Sequence, residues 1–287
     1  MKPPPFSYTE AESMEEALVV LAEQGDDCKV LAGGQSLVPM MNLRLTYPKH
    51  VLDINRLTML DYVNAEDGAL KIGGLTRHST LKNSALVAEH CPLMTAAYDY
   101  VAHKPVRNRG TIGGNLSHAD PSSEMSAVTL AAGAVMVARS TKGERQIEAG
   151  DFFLGTLDTA LEADELLVEI RLPSWTAGEG WSFLEVSPRK GDFAIVGVAA
   201  RLGLKDGLCE TVRLAYCGVG DKVRRIGEAE QALVGAKPDE ALFAKAGEIA
   251  AAAIDPQSDY HADPEYRRDL TATLTRRALI EAHTRTA

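Results

Sequence analysis

The stretch Lys29–Leu37, KVLAGGQSL, joins a short apolar run to two adjacent glycines. The pattern from Lys29 to Leu31 is typical of a short buried strand, which Gly33-Gly34 cannot continue without cost. Adjacent glycines let the backbone adopt positive φ and let a ligand approach without a Cβ clash. Successive backbone N–H groups in such a turn form a concave site for a phosphate or diphosphate. The stretch therefore predicts a strand that ends in an anion-binding loop.

A second segment, Thr111–Ser117 (TIGGNLS), has the same construction. In both segments two glycines follow an apolar residue and precede an amide side chain, so two matched loops would hold one diphosphate from both sides. Two ordinary tight turns stay open as the alternative. Neither segment has the GxGxxG pattern of a Rossmann dinucleotide site or the GxxxxGK[ST] pattern of a P-loop, so neither of these sites is supported. The basic run Arg107–Asn115 is predicted to be a loop. Neutral hydrogen-bonding side chains in the two segments are Gln35, Ser36, Thr111 and Asn115.

The rest of the chain alternates helices and strands and then changes to strands followed by helices, which indicates an α+β fold. Ser13 begins a capping box before a helix that ends near Gly25, and a β-α-β-like unit is complete by about residue 56. The best linker candidate is Pro173–Gly180. Further predicted strands are 51–54, 69–73, 135–138, 166–172, 183–186, 195–204 and 212–219, with a hairpin turn at Asp206-Gly207; further predicted helices are 92–101, 124–132, 227–233, 239–253 and 264–282.

Bulk properties exclude several classes of function. The chain has 287 residues and a net charge of -10, which disfavours an electrostatically driven nucleic-acid binder. No apolar stretch approaches the roughly 20 residues needed to span a bilayer, and the start of the chain does not have the pattern of a secretory signal. The four cysteines lack cluster or zinc spacing, which predicts reduced thiols in a cytoplasmic protein and no metal site.

The two glycine motifs carry a resemblance to a known family. AGGQS (32–36) and TIGGN (111–115) look like the two FAD-binding signatures of the molybdenum hydroxylase flavoprotein subunits. These are the medium subunits of the carbon monoxide dehydrogenase, xanthine dehydrogenase and aza-aromatic hydroxylase enzymes. The likeness extends through RNRGTIGGNLSHADPSSE (107–124) and SPRKGDFAIVGVAARL (187–202), so it covers the whole chain.

The resemblance implies a two-subdomain FAD-binding domain of the vanillyl-alcohol oxidase type, followed by a smaller α/β C-terminal domain. The expected bounds are 1–176, with subdomains of about 1–56 and 57–176, and 177–287. It implies an electron-transfer role, in which iron–sulfur clusters of a partner reduce FAD and FAD passes the electrons to an external acceptor. The expected partners are a large molybdopterin-binding subunit (molybdopterin cytosine dinucleotide) and a small subunit with two [2Fe–2S] clusters, assembled as a dimer of heterotrimers.

Cofactor contacts are carried over position by position, and no catalytic base is expected in this chain. Phe193 stands where some relatives have Tyr, and it cannot donate a hydrogen bond to the flavin. The diphosphate would be wrapped by Ala32, Gly33, Gly34, Gln35 and Ser36 and by Thr111, Gly113, Gly114 and Asn115. Lys29 and Leu31 would line the approach, Asp120 would hold a polar part of the cofactor, Leu167 would touch the adenine or flavin flank, and Lys190, Asp192 and Phe193 would reach the isoalloxazine.

Alternatives remain open at the level of the residues. A stand-alone flavin oxidase or dehydrogenase of the same fold would oxidise its substrate directly, and a sugar-phosphate or nucleotide binder would use the same loops without a flavin. Asp120 is also predicted to be the N-cap of the helix at 124–132. Four arginines of the last helix are predicted to form a solvated or interface face: Arg267, Arg268, Arg276 and Arg277.

Overall fold

The N-terminal β-α-β-like unit forms a small parallel sheet in the computed structural model, which describes residues 2–286. The side chain of Ser13 accepts a hydrogen bond from Glu16 N and so begins the first helix, as the capping box predicts. The first strand was not predicted, because four residues at the edge of a sheet carry little hydrophobic pattern. The elements are β1 (Ser7–Glu10), α1 (Met14–Gln24), β2 (Cys28–Leu31), α2 (Leu37–Asn42) and β3 (His50–Asp53), and the strand order is β1-β3-β2.

A five-stranded antiparallel sheet follows, in the strand order 63–66, 69–73, 166–173, 135–140 and 143–148. A cluster of short helices packs on it, and residues 153–155 and 158–159 form a two-stranded hairpin. The elements are β4 (Val63–Glu66), β5 (Ala69–Gly73), α3 (His78–Lys82), α4 (Ala85–His90), α5 (Pro92–Ala97), α6 (Lys104–Arg109), α7 (Ile112–His118), α8 (Glu124–Ala132), β6 (Val135–Ser140), β7 (Gly143–Glu148), α9 (Ala149–Phe152), β8 (Phe153–Gly155), β9 (Asp158–Thr159) and β10 (Leu166–Pro173); Gly25–Asp27 and Thr58–Leu60 are single 3₁₀ turns.

Two local predictions in this region are wrong. Residues 107–115 are not a loop: they contain the end of α6 and the start of α7, because Thr111 accepts from Gly114 N and starts a helix that contains both glycines. Asp120 is not the N-cap of α8, which begins after Ser123. The Asp120 carboxylate instead accepts from Ser122 N at 2.8 Å and closes a local turn.

The C-terminal region is an antiparallel sheet covered by helices, as predicted. Asp206 and Gly207 both have positive φ, which is the backbone conformation of a tight two-residue hairpin turn. The predicted linker is anchored, because Trp175 packs under the Arg201 guanidinium at 4.5 Å from its ring centroid. The elements are β11 (Gly180–Val186), β12 (Val196–Lys205), β13 (Leu208–Cys217), β14 (Arg224–Arg225), α10 (Gly227–Gln231), α11 (Glu240–Ala253) and α12 (Pro264–Thr284).

One face of this sheet packs on α8, a helix whose nine residues are all buried. Phe183, Ala199 and Cys217 from the sheet share a hydrophobic core with the central helices. The opposite face of the sheet forms a separate core with α11 and α12. The region before the predicted linker and the C-terminal region are therefore joined by a continuous apolar seam, and Gly218 N donates to Pro121 O at 2.8 Å across it, after α7.

Arg267 corrects the prediction of a solvated basic face on the last helix. It is only 6% exposed, and it donates to the carbonyls of Ile195 and Gly218 at 2.5 and 2.8 Å while pairing with Asp259. A guanidinium presents five donors, so one buried arginine can tie two strand ends to a loop. Within residues 2–286, no helix is both long and apolar enough to cross a membrane.

Candidate functional site

The two diglycine segments, which are far apart in sequence, lie in contact. A Cβ on Gly33 would be 2.4 Å from the carbonyl oxygen of Arg109 and 2.7 Å from Gly110 Cα. A Cβ on Gly114 would be 3.8 Å from the Ala32 side chain. Gly33 is therefore required for the close approach of the two backbones. The two segments together form one site.

A cavity of about 550 Å³ opens at this junction. Gly34 has a φ of 69°, which places its backbone in the left-handed region that favours glycine. Five of the predicted FAD-site residues line the cavity, and five further residues that the motifs did not identify join them. The lining residues are Leu31, Ala32, Gly33, Gly34 and Gln35, together with Val38, Pro39, Asn55, Arg77 and Arg109.

The first segment carries a run of unpaired backbone donors. Among residues 2–286, the N–H groups of Gly33, Gly34, Gln35 and Ser36 have no hydrogen-bond acceptor. Gly33, Gly34 and Ser36 are half-buried and Gln35 is exposed, so water or a ligand can accept from these N–H groups. Four in succession beside a cavity therefore indicate a site for an anion.

The second segment contributes differently. Its amides are occupied, since Ile112 N donates to Thr76 O at 3.0 Å and Gly113 N donates to Gly74 O at 2.9 Å. Gly114 N donates to the Thr111 hydroxyl at 3.2 Å. Gly114 itself is exposed, so this segment presents a surface without side-chain bulk rather than a row of free donors.

Arg77 and Asn55 connect the two segments, and the sequence motifs missed both. One Arg77 nitrogen donates to Arg109 O at 2.5 Å and the other to the Asn55 side-chain oxygen at 2.7 Å. Asn55 in turn donates to Ala32 O at 2.8 Å. Desolvation lowers the pKa of Arg77 from its ordinary value, but the group stays cationic at neutral pH. It is a fixed positive charge beside the free amides.

Only one of these two residues had a signal in the sequence. Asn55 follows a predicted parallel strand, and ligands bind outside the carboxyl ends of such strands. Arg77 is the residue before α3, four residues after β5, and no motif marks it. The bridge between Arg77 and Thr111 brings it to the site through tertiary structure alone.

The remaining predicted residues lie around the junction rather than in the cavity. Lys29 is exposed on β2, and Leu167 is 4% exposed on β10, where its carbonyl packs under Gly74 and so supports Gly113. Asn115 accepts from the Ser123 hydroxyl at 3.0 Å. Ser36 ends the first segment just before α2.

The segment after β11 reaches the same side of the molecule from the C-terminal region. A Cβ on Gly191 would be 2.5 Å from His103, so this segment packs directly on the turn before α6. Asp192 pairs with Arg189 at 2.9 Å, while Phe193 is 63% exposed. Lys190 is exposed in the same turn.

The hydrogen-bond donors and positive charges at this cavity suit a large anion such as a diphosphate, and they do not suit a metal ion. Within residues 2–286, no three His, Cys, Asp or Glu residues are grouped to hold a metal, and all four cysteines are buried free thiols. Free amides, two arginines and a cradle that a Cβ would fill are complementary to a diphosphate. The residues present therefore fit the diphosphate of a dinucleotide cofactor.

Comparison with known protein families gives two matches that together cover most of the chain. Residues 4–175 match the family described as the FAD binding domain in molybdopterin dehydrogenase. Residues 181–282 match the CO dehydrogenase flavoprotein C-terminal domain.

Individual relatives align with almost the full chain. The caffeine dehydrogenase subunit beta of Pseudomonas sp. (strain CBB1) is 41% identical over 98% of this chain and 96% of the relative. The 6-hydroxypseudooxynicotine dehydrogenase complex subunit alpha of Paenarthrobacter nicotinovorans is 38% identical with the same coverage. A chain of the carbon monoxide dehydrogenase structure from Hydrogenophaga pseudoflava superposes with a TM-score of 0.98 at 37% identity, covering 100% of both chains.

Proposed function

The chain belongs to the FAD-binding medium subunits of the molybdenum hydroxylases, and we propose that it holds FAD between its two diglycine segments and passes electrons from the iron–sulfur clusters of a partner subunit to an external acceptor. The observation that carries this proposal is the run of four free amides beside Arg77 and Arg109. A diphosphate supplies the acceptors that these donors lack. The protein is thus an oxidoreductase subunit whose own residues bind and orient the cofactor.

In the proposed complex the first segment, Ala32–Ser36, donates its amides to the diphosphate and Arg77 compensates the charge. The other side of the site is formed by Thr111, Gly114 and Asn115. Gly114 is exposed and has no side chain, so the cofactor can approach it closely. Leu31 lines the entry, Lys29 is exposed on the strand that leads to it, and Leu167 is buried in the core and supports the second segment through Gly74. FAD supplies the redox chemistry, and the chain supplies position, charge and exclusion of water.

The isoalloxazine end would lie toward the seam between the two regions. Asp120 approaches from the first region, and the turn with Lys190, Asp192 and Phe193 approaches from the second. This placement is supported by the packing of Gly191 on His103, which holds the turn against the residues before α6, the helix that leads to the second diglycine segment. We propose domain bounds of 1–176, with subdomains of about 1–56 and 57–176, and 177–287.

Medium subunits of this family work in complexes with a large and a small subunit. We propose that the partners here are a large molybdopterin-binding subunit and a small subunit with two [2Fe–2S] clusters, and that two such heterotrimers pair, since twofold closure is the commonest symmetry of oligomers. A cytoplasmic location stays a prediction. The stand-alone oxidase is the second candidate, because the same cavity would hold FAD in either case.

Bound FAD is expected to be non-covalent. Neither diglycine segment contains a His or Cys that would attach the flavin. The purified chain should therefore be yellow, and acid precipitation should release the flavin into the supernatant, where its absorbance gives the occupancy. A colourless full-length protein that also fails to take up added FAD would contradict the proposed function, and yellow colour retained in the pellet would contradict non-covalent binding.

Replacing Arg77 should weaken FAD binding without removing the fold. Arg77→Met keeps most of the side-chain length but removes the positive charge and both bridging hydrogen bonds. A hydrogen bond from a charged donor contributes about 1.5–3 kcal/mol. We expect FAD to bind on the order of tenfold to a hundredfold more weakly, measured as quenching of flavin fluorescence in titrations of apoprotein.

Arg56→Met is the matched control for this substitution. Arg56 is a half-exposed arginine that pairs with Glu10 and Glu12 and does not line the cavity. Its variant should bind FAD as the original protein does, since exposed ion pairs contribute little. Equal Kd values for both variants would show that Arg77 has no part in the site.

A further inference from the structure

The hairpin formed by β8 and β9 carries a leucine in an unfavourable environment. Leu157 has a φ of 57°, in the left-handed region, where the Cβ of an ordinary residue lies too close to the following carbonyl oxygen. Its side chain is also 46% exposed, so the chain itself buries only part of its apolar surface. Backbone strain and an exposed apolar side chain at one residue indicate contact with a group outside the chain.

The backbone of Leu157 is bonded to the residue that precedes Asp120. Leu157 N donates to Ala119 O at 3.2 Å. One carboxylate oxygen of Asp120 accepts from Ser122 N at 2.8 Å, and within residues 2–286 the other oxygen accepts no hydrogen bond. The tip of the hairpin therefore lies beside a carboxylate that still has an oxygen available to a ligand.

The C-terminal region fixes the hairpin from its other side. The Thr156 hydroxyl donates to Asp221 O at 2.8 Å. Gly218, in the same loop as Asp221, donates its N–H to Pro121 O at 2.8 Å. These bonds join the hairpin, the loop after β13 and the turn after α7 into a closed ring of contacts that includes Asp120. The position of the leucine is therefore set by both regions of the chain.

The accessible face of α7 connects the cavity with this hairpin. The helix starts at the second diglycine segment and has 7 residues, so it is about 10 Å long. Gly114 is exposed near its start, and His118, four residues later on the same face, is half-buried. A cofactor whose diphosphate lies at the cavity can therefore extend its ribityl chain along this face and bring its ring to Ala119 and Leu157.

We propose that Leu157 packs against the isoalloxazine ring of FAD and holds the ring beside Asp120. This rests on the proposed FAD site. The dimethylbenzene half of the ring is apolar, so the contact removes apolar surface of both partners from water. The same contact offsets the backbone strain that Leu157 carries in the chain alone. Leu157 is thus a cofactor-binding residue that lies outside both diglycine segments.

Leu157→Gly tests this contact. Glycine adopts the same φ without strain, so the apoprotein should fold and keep its melting temperature, because relief of the strain offsets the lost packing. FAD should bind about threefold to tenfold more weakly, measured as quenching of flavin fluorescence in titrations of full-length apoprotein. The absorption bands of the flavin that remains bound should lose their resolved shoulders, since water then reaches the ring.

Two further variants are matched controls. Leu157→Met keeps an apolar side chain and should bind FAD as the original protein does, with the same flavin spectrum. Asp206→Gly makes the same relief of a positive φ at an exposed turn. This turn lies beyond the far end of β12 from Phe193, so the variant should leave the Kd unchanged.

Equal Kd values and identical flavin spectra for Leu157→Gly and the original protein would overturn this inference and leave the FAD site standing. A variant that binds FAD normally but no longer retains its partner subunits would also overturn it, because Leu157 would then belong to the subunit interface. Original protein that takes up no FAD would overturn both this inference and the proposed function.

Discussion

Gly33→Val is expected to yield protein without FAD. A Cβ at this position would lie 2.4 Å from the Arg109 carbonyl oxygen, and both partners are backbone, so no side chain can move aside. The two segments would separate, and the amides, Arg77 and the second segment would no longer face one cavity. Overpacking of this kind costs about 1–3 kcal/mol, and loss of the aligned donors adds to it. We expect FAD affinity to fall on the order of a hundredfold or more.

Gly114→Val and Gly150→Val separate the possible causes. Gly114 is exposed, and a Cβ there would lie 2.9 Å from the Thr111 hydroxyl but would not touch the backbone contact between the two segments, so its variant should exclude the cofactor and shift only the Thr111 cap. Gly150 has open space around it, and valine there should leave flavin content unchanged. The measurement is the ratio of flavin to protein absorbance after purification, with circular dichroism to confirm folding. Full flavin occupancy in Gly33→Val would show that the contact between the segments is not needed for binding.

Patterns of local origin gave reliable predictions of the fold. The capping box at Ser13 and the hairpin at Asp206-Gly207 each depend on a few neighbouring residues, and the structure has both. The prediction of a loop at Arg107–Asn115 was wrong for a related reason. Two adjacent glycines and a basic run favour a loop locally, yet the Thr111 cap and packing against Gly74 hold them in helices.

The site was predictable only where it is continuous in sequence. Both diglycine motifs were found, and the family matches confirm FAD as the cofactor class. Arg77 and Asn55 were missed because each reaches the cavity from a separate loop, Asn55 after β3 and Arg77 before α3. Arg267 was misjudged because an arginine on a terminal helix is usually solvated, whereas here it satisfies two buried carbonyls.

The second large effect concerns assembly. If this chain carries only the flavin, a substrate can reduce that flavin only through the molybdenum and iron–sulfur centres of partner chains. The electron must pass from a cluster to the flavin across an interface, which for a stable complex buries on the order of 1,000 Å² or more. The isolated chain should therefore bind FAD fully yet show no substrate-dependent reduction, and activity should return when the partners are added.

Anaerobic absorbance of the bound flavin tests this most directly. N-heteroaromatic or aldehyde candidate substrates are added first to the isolated chain and then to the chain reconstituted with its co-purifying partners. We predict that the flavin absorbance is unchanged in the first sample and bleaches in the second for one substrate class, while dithionite bleaches both. Bleaching of the isolated chain by substrate, at a rate matching the complex, would contradict the account and assign the protein as a stand-alone flavin oxidase or dehydrogenase.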